Sequence, residues 1–269
     1  MSKSTYQKFT LGTKLTEEQI AFFNKNGFIH FDAALSPNEV QSIITSTEDV
    51  QSKWLTEGKK KINGVPIKYG VDENGKSIVH RFCFTSQYSE PIHNLVRDQR
   101  LQALKVLMPS GARIAENEKD GVVVNHYVNT ESSNFRQMGW HTDSMRDVFY
   151  GKKVLPMLNV GVYLDNSSSD KGGLRVLPGT HKQNIFNMLF KKTYFMNNEE
   201  DKNEVLVDAK SGDMVVHDGR IWHRVAMSPL KGAASRRRVM YIPVIIGKYM
   251  PKNEDSNTPF YHHFLKLVK

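Results

Sequence analysis

The second half of the chain is a succession of short β-rich runs punctuated by turn formers. GVVVNHYVN (121–129), MLNVGVYL (157–164), LRVLP (174–178), EVLVD (204–208), GDMVVHD (212–218), IWHRVAM (221–227) and RRVMYIPVII (237–246) are separated by stretches rich in Gly, Asn, Asp, Ser and Pro. Runs this short, with turn signals between them, specify an antiparallel sandwich or jelly roll. Successive side chains of a strand point to opposite faces. Alternation along each run therefore decides which residues meet inside.

The first 120 residues have a different texture. LTEEQIAFFNKN (15–26) reads as a helix capped by Thr16, with Glu17 and Glu18 in its first turn and Gly27 as its stop. FIHF follows as a short strand. SPNEVQSIITSTEDV begins a second helix, with Ser36 as N-cap and Pro37 at the first helical position. Residues 51–80 are polar and loop-like, with Asn63-Gly64 and Asn74-Gly75 as turns. Residues 91–108 place Leu95, Leu101, Leu104 and Met108 in a helical pattern with one interruption. The expected architecture is mainly β with peripheral helices. It forms a single domain over 1–269, because the helices need a sheet to bury their apolar faces. Residues 1–120 are its mainly helical portion, 121–246 its jelly-roll core and 247–269 a C-terminal extension.

Composition narrows the function classes. The chain has 269 residues, 39% of them hydrophobic, enough for one sizeable core. Cys83 is the only cysteine, so no internal disulfide forms and a reducing, cytoplasmic setting is expected. The segment MSKSTYQKFT has no apolar core of a signal peptide, and the apolar run MYIPVII falls far short of the roughly 20 residues that span a bilayer. No membrane association is expected. The net charge of +9 is compatible with an anionic small substrate. The cations are scattered rather than clustered (Lys59 to Lys61, Lys152 and Lys153, Lys191 and Lys192), so no nucleic-acid partner is expected.

The stretch GWHTDSMRD (139–147) places two metal-ligand types two residues apart. At a strand end, His141 and Asp143 face one way and Thr142 the other. A His-x-Asp pair alone recurs often by chance. The best third donor is His223 in GRIWHRVAM, far downstream but on a run that a jelly roll can bring alongside. Two histidines and one carboxylate on one face of a metal leave the opposite face open, the arrangement of non-haem iron centres. His126 falls on the opposite strand face from Asn125 and reads as packed or exposed. His217 and Asp218 are read as turn residues with structural roles, and His181 as a brace for its loop. Trp140 and Trp222, each preceding a candidate ligand, point away from it by alternation. Arg146 and Tyr150 follow the motif and are candidates for lining the mouth.

The ordered series HTD, GGLRVLPGTHK, GDMVVHDGRIWH and then an arginine-bearing strand resembles the phytanoyl-CoA dioxygenase family. The N-terminal LTEEQIAFFNKNGFIHFDAALSPNEV resembles it too, so the likeness runs from about residue 15 to about residue 246. The resemblance implies a double-stranded β-helix, cupin-like, and an enzyme using Fe(II), 2-oxoglutarate and dioxygen. It implies His141, Asp143 and His223 as metal ligands and catalytic centre. Related halogenases carry a small residue where Asp143 stands, so the resemblance implies hydroxylation of a small molecule, with release of succinate and CO2. The family also anchors the distal carboxylate of 2-oxoglutarate on an arginine of the strand after the second histidine. Alternation puts Arg237, Val239 and Tyr241 on one face of that strand and Arg236, Arg238 and Met240 on the other. The family pattern selects Arg237, with Arg236 and Arg238 as the alternatives. Asn125 aligns with a side-chain amide near the co-substrate in related hydroxylases, and Tyr127 and Asn129 share its face. The rival reading is a non-catalytic ligand-binding protein on the same jelly roll.

Overall fold

A computed structural model describes residues 6–131, 133, 136–149, 153–168 and 171–258. The chain opens with α1 (Glu17–Asn26), β1 (Phe28–Phe31) and α2 (Pro37–Thr56). Two hairpins follow, β2 (Lys61–Ile62) with β3 (Val65–Pro66), and β4 (Lys68–Val71) with β5 (Ser77–Phe82). Next come α3 (Glu90–Leu95), α4 (Gln99–Ala103), β6 (Arg113–Ile114), β7 (Val123–Asn129), β8 (Met138–His141) and α5 (Met145–Phe149). The remainder is β9 (Met157–Tyr163), β10 (Gly173–Val176), α6 (Ile185–Phe190), β11 (Val205–Leu206), β12 (Met214–Asp218), β13 (His223–Ala226) and β14 (Gly232–Ile245).

Local chemistry accounts for the first helices. The Thr16 side chain accepts from Gln19 N while the Gln19 side chain accepts from Thr16 N, and Gly27 ends α1 at φ 77°. Ser36 and Glu39 make the same reciprocal box at α2. Each box satisfies two otherwise orphaned donors, worth about 1 kcal/mol. Helix α2 runs to Thr56, past the expected end, because Val50 and Trp54 continue its buried face.

Two antiparallel sheets form the jelly roll. The larger has the order β1-β12-β9-β14-β7-β5-β4, with β6 on the end of β14. The smaller has the order β11-β10-β13-β8. The larger sheet is covered on both faces. Leu158, Val160, Met214, Val216, Met240 and Ile242 look outward and share a buried cluster with Phe23, Ile43 and Leu101 of the helices. Tyr163, Val215 and Val239 look inward and pack with Leu174 and Val176 of the smaller sheet. Burial of this kind contributes about 1.5–3 kcal/mol per large apolar side chain.

Residues before 120 do more than cap the sheet with helices. β1 pairs with β12, placing Phe28 opposite His217. Residues 51–80, read as loop, carry the two hairpins, and β5 joins β7 with Arg81 opposite Asn125. Their strands are short and polar on the exposed side, so their hydrophobic signal is weak. The 91–108 stretch is broken between α3 and α4 as expected, and ends in a further short 3-10 turn at 104–107. No helix among the described residues is long and apolar enough to cross a membrane.

Candidate metal centre

Strand pairing brings the separated motifs together. β13 lies beside β8 with His223 directly opposite His141, and the two imidazole centroids are 4.1 Å apart. β8 ends at His141, so Asp143 stands in the following turn rather than on the strand. It still reaches the histidines. Its Oδ1 lies 4.0 Å from His141 Nε2 and 3.8 Å from His223 Nε2. Ligand atoms of His141, Asp143 and His223 all fall within 4.8 Å of one another.

Each histidine is set by its own backbone. His141 Nδ1 is 2.7 Å from the Gly139 carbonyl oxygen and His223 Nδ1 is 3.1 Å from that of Ile221. A carbonyl can only accept, so Nδ1 carries the proton and the Nε2 lone pair faces Asp143. Burial, with His141 alongside, pushes the His223 imidazole well below its ordinary pKa and keeps it neutral. Burial works against ionisation of Asp143, but the imidazoles of His223, His217 and His141 outweigh it and hold the carboxyl well below its usual range. Two imidazole Nε2 atoms and one carboxylate oxygen, converging from one side, fit a ferrous ion by donor type and by tautomer. A second cluster, His30, Asp32 and Asp213, does not fit one. His30 bonds Tyr6 at 2.6 Å and Asp213 at 2.8 Å, which occupies both ring nitrogens.

The outer carboxylate oxygen has partners the sequence did not reveal. Asp143 Oδ2 accepts from Asn159 Nδ2 and from His217 Nε2, each at 3.0 Å. His217 was expected in a turn, but β12 runs to Asp218 and turns His217 inward. Trp140 and Trp222 point away from the centre as expected and pack with Leu177. His181 braces its loop through the Asn24 carbonyl at 3.2 Å. The side chain of Arg146 and all of Tyr150 lie outside the described residues.

The lumen beside the triad is lined by Tyr127, Tyr163, Ser167, Arg237, Val239 and Tyr241. Of the three competing arginines, only Arg237 points into it. Arg236 pairs outward with Glu73 at 3.0 Å. Arg238 pairs outward with Asp165 at 2.9 Å and Glu48 at 3.1 Å. Arg237 is 2% exposed. Its guanidinium meets the carbonyl oxygens of Ala226 at 3.2 Å and Arg136 at 3.4 Å, and its Nε has no hydrogen-bond partner among the described residues. The Tyr127 ring lies 5.3 Å below the guanidinium. Burial pushes the Tyr127 phenol up to about 12 and raises Tyr163 and Tyr241 as well, so all three remain neutral. The Tyr163 hydroxyl is buried without a hydrogen-bond partner among the described residues. A buried cation and a bare hydroxyl in one cavity are complementary to a carboxylate.

Asn125 lies on the lumen face of β7, and its orientation is determined. Arg81 Nη1 donates to its Oδ1 at 3.2 Å, leaving the amide NH2 directed toward Tyr127 Oη at 3.4 Å. Asn129 instead ties down the 228–230 loop through the carbonyl oxygens of Ser228 and Leu230. His126 is on the other face, buried against His80.

The segment after α6 lies against β8 and His141. The Phe195 ring stacks on His141 with centroids 5.0 Å apart. Trp140 N donates to Asn197 O at 2.8 Å, and Phe195 N donates to Trp140 O at 2.9 Å. Gly139 permits this approach, since a Cβ there would collide with the Phe195 carbonyl.

No curated protein matches the sequence significantly. Among solved structures the chain is similar to the non-heme alpha ketoglutarate dependent epimerase SnoN from nogalamycin biosynthesis, at 16% identity over 87% of this chain and 85% of that chain, with TM-score 0.63. It is similar to the carbocyclase SnoK from the same biosynthesis, at 14% identity over 98% and 94% of the two chains, with TM-score 0.63. HygX from Streptomyces hygroscopicus, solved with nickel and 2-oxoglutarate bound, aligns at 17% identity over 88% and 89%, with TM-score 0.59. At these identities the likeness establishes the fold. The family model described as Phytanoyl-CoA dioxygenase (PhyH) matches residues 23–228, most of the chain. The chain therefore belongs to the phytanoyl-CoA dioxygenase family of iron- and 2-oxoglutarate-dependent enzymes.

Proposed function

We propose that this enzyme hydroxylates an unactivated C–H bond of a small molecule, with His141, Asp143 and His223 as its metal ligands. The observation that carries the proposal is the convergence of these ligand atoms within 4.8 Å at one end of the lumen. Arg237, buried farther inside with an Nε that has no hydrogen-bond partner among the described residues, supports it. Ferrous iron held there would supply dioxygen activation coupled to oxidative decarboxylation of 2-oxoglutarate.

The chain's own residues bind, orient and exclude water. His141 and His223 offer Nε2 lone pairs locked by backbone carbonyls, and Asp143 offers Oδ1. Arg237 would hold the distal carboxylate of the co-substrate through two parallel charge-assisted bonds, with the Tyr163 hydroxyl as a third donor. The Asn125 amide, turned by Arg81, presents N–H groups toward the same lumen beside Tyr127. Phe195 covers one face of the His141 ring. We read the whole chain as a single oxygenase domain.

Succinate release from 2-oxoglutarate that requires Fe(II), air and a substrate tests the proposal. Product mass then decides the outcome at the substrate, since two structures of this fold are an epimerase and a carbocyclase. Gain of one oxygen marks hydroxylation. Loss of two hydrogens marks ring closure or desaturation, and unchanged mass with altered stereochemistry marks epimerisation. Either of the latter two overturns the hydroxylase reading. A metal-loaded protein that binds 2-oxoglutarate but never turns over would leave the ligand-binding rival.

A further inference from the structure

We infer that His217 and Asn159 act as a pair of positioning residues that hold Asp143 as a one-oxygen metal ligand. The inference rests on the proposed triad and specifies how its carboxylate is presented.

A carboxylate has two oxygens and about four lone-pair directions, so nothing in Asp143 itself prevents it from chelating a metal through both. Two-oxygen binding would occupy a fourth coordination position. A centre that must accept a bidentate co-substrate and a third small ligand then has one position too few. The structure blocks this at Oδ2, which receives hydrogen bonds at 3.0 Å from both Asn159 Nδ2 and His217 Nε2. Oδ1 is left facing the two ligand imidazoles.

The clamp is built into the sheet. Asn159 and His217 are directly opposite each other in the β9–β12 register, so their side chains rise from the same face of two adjacent strands. His217 is 1% exposed. Its Nδ1 has no partner among the described residues. That pattern fits a ring whose Nε2–H is directed at Asp143. The ring also packs 4.7 Å from that of His223, which limits its rotation. His217 could alternatively be a metal ligand itself, but its Nε2 is engaged by Oδ2.

Co(II) titration of the full-length chain, followed by visible absorption, tests the inference. His217→Ala and Asn159→Ala should each weaken Co(II) about 10- to 100-fold, as loss of an outer hydrogen bond to a ligand does. Each should also change the ligand-field band toward a higher coordination number as the released oxygen joins the metal. His217→Gln restores an N–H donor without an imidazole and should recover the wild-type spectrum. Circular dichroism should be unchanged throughout, and if His217→Ala does not fold, Asn159→Ala carries the same test. Wild-type affinity and spectrum in both alanine variants would overturn the inference while leaving the triad intact. A His217→Gln spectrum showing one nitrogen donor fewer would overturn it in favour of His217 as a ligand. Failure of the wild-type chain to take up Co(II) would remove the triad itself, and the inference with it.

Discussion

Replacing Arg237 by methionine isolates the proposed co-substrate anchor. The guanidinium is buried, and its hydrogen-bond partners among the described residues are two carbonyl oxygens. A carboxylate arriving there gains a bidentate charged pair in a water-excluded lumen. Breaking such a buried pair costs about 3–5 kcal/mol. At about 1.4 kcal/mol per decade, the affinity for 2-oxoglutarate should fall at least 10²-fold. Stability should move the other way or not at all. The ligand-free chain holds a buried cation with no carboxylate partner among the described residues, and methionine keeps the apolar stem while removing the charge. The ligand-free Tm of Arg237→Met should therefore be no lower than that of the wild type. With 2-oxoglutarate at 100 times its Kd, the wild-type protein should gain about 2.7 kcal/mol. For a chain of this size that is a rise of roughly 5 °C, which the variant should lack. Calorimetric titration and thermal unfolding without dioxygen, with Mn(II) in the site, read both quantities. Near-normal affinity in Arg237→Met, or a large loss in Arg236→Met or Arg238→Met instead, would refute the reasoning, because those two side chains are already paired outward.

His141→Ala and Asp143→Ala should each abolish Fe(II)-dependent succinate release while leaving circular dichroism unchanged; residual turnover near wild type in either removes that residue from the ligand set. Gly139→Ala should cost about 1–3 kcal/mol by forcing the Phe195 carbonyl off β8, and should lower turnover as the cover over His141 shifts; urea unfolding that matches wild type counts against the close approach. Burial, helped by Arg238, lowers the His126 pKa to about 3, whereas an unfolded histidine titrates near 6.5. Between those values the unfolded chain binds a proton that the folded chain refuses, so this stability is complete above about pH 6.5 and is lost as pH falls toward 3. His126→Asn should flatten the dependence by up to about 1.4 kcal/mol per pH unit, read by urea unfolding at pH 5 and 6.5; an unchanged slope rejects the assignment.

Period-two alternation made much of the lumen legible. It placed Arg237 with Val239 and Tyr241, and Asn125 with Tyr127, and the structure keeps both groupings. Cap chemistry located the starts of α1 and α2 because Thr16, Ser36 and their partners lie within one turn. The same locality explains the misses. The hairpins in 51–80 carry few apolar residues, so their strands became visible only through pairing with β7. His217 looked like a turn residue because the sequence shows where a run weakens, not where its ladder ends.

The sequence by itself located most of the strands after residue 120, the alternation that separates Arg237 from Arg236 and Arg238 and Asn125 from His126, and three candidate ligands in order. All of these follow from side-chain chemistry and from backbone periodicity over a few residues. Only the tertiary structure decided that His223 stands opposite His141, that Asn159 and His217 meet on one carboxylate oxygen, and that Arg81 turns the Asn125 amide. Those meetings depend on the register between strands distant along the chain. Register is set by the packing of whole faces, which no single run of residues encodes.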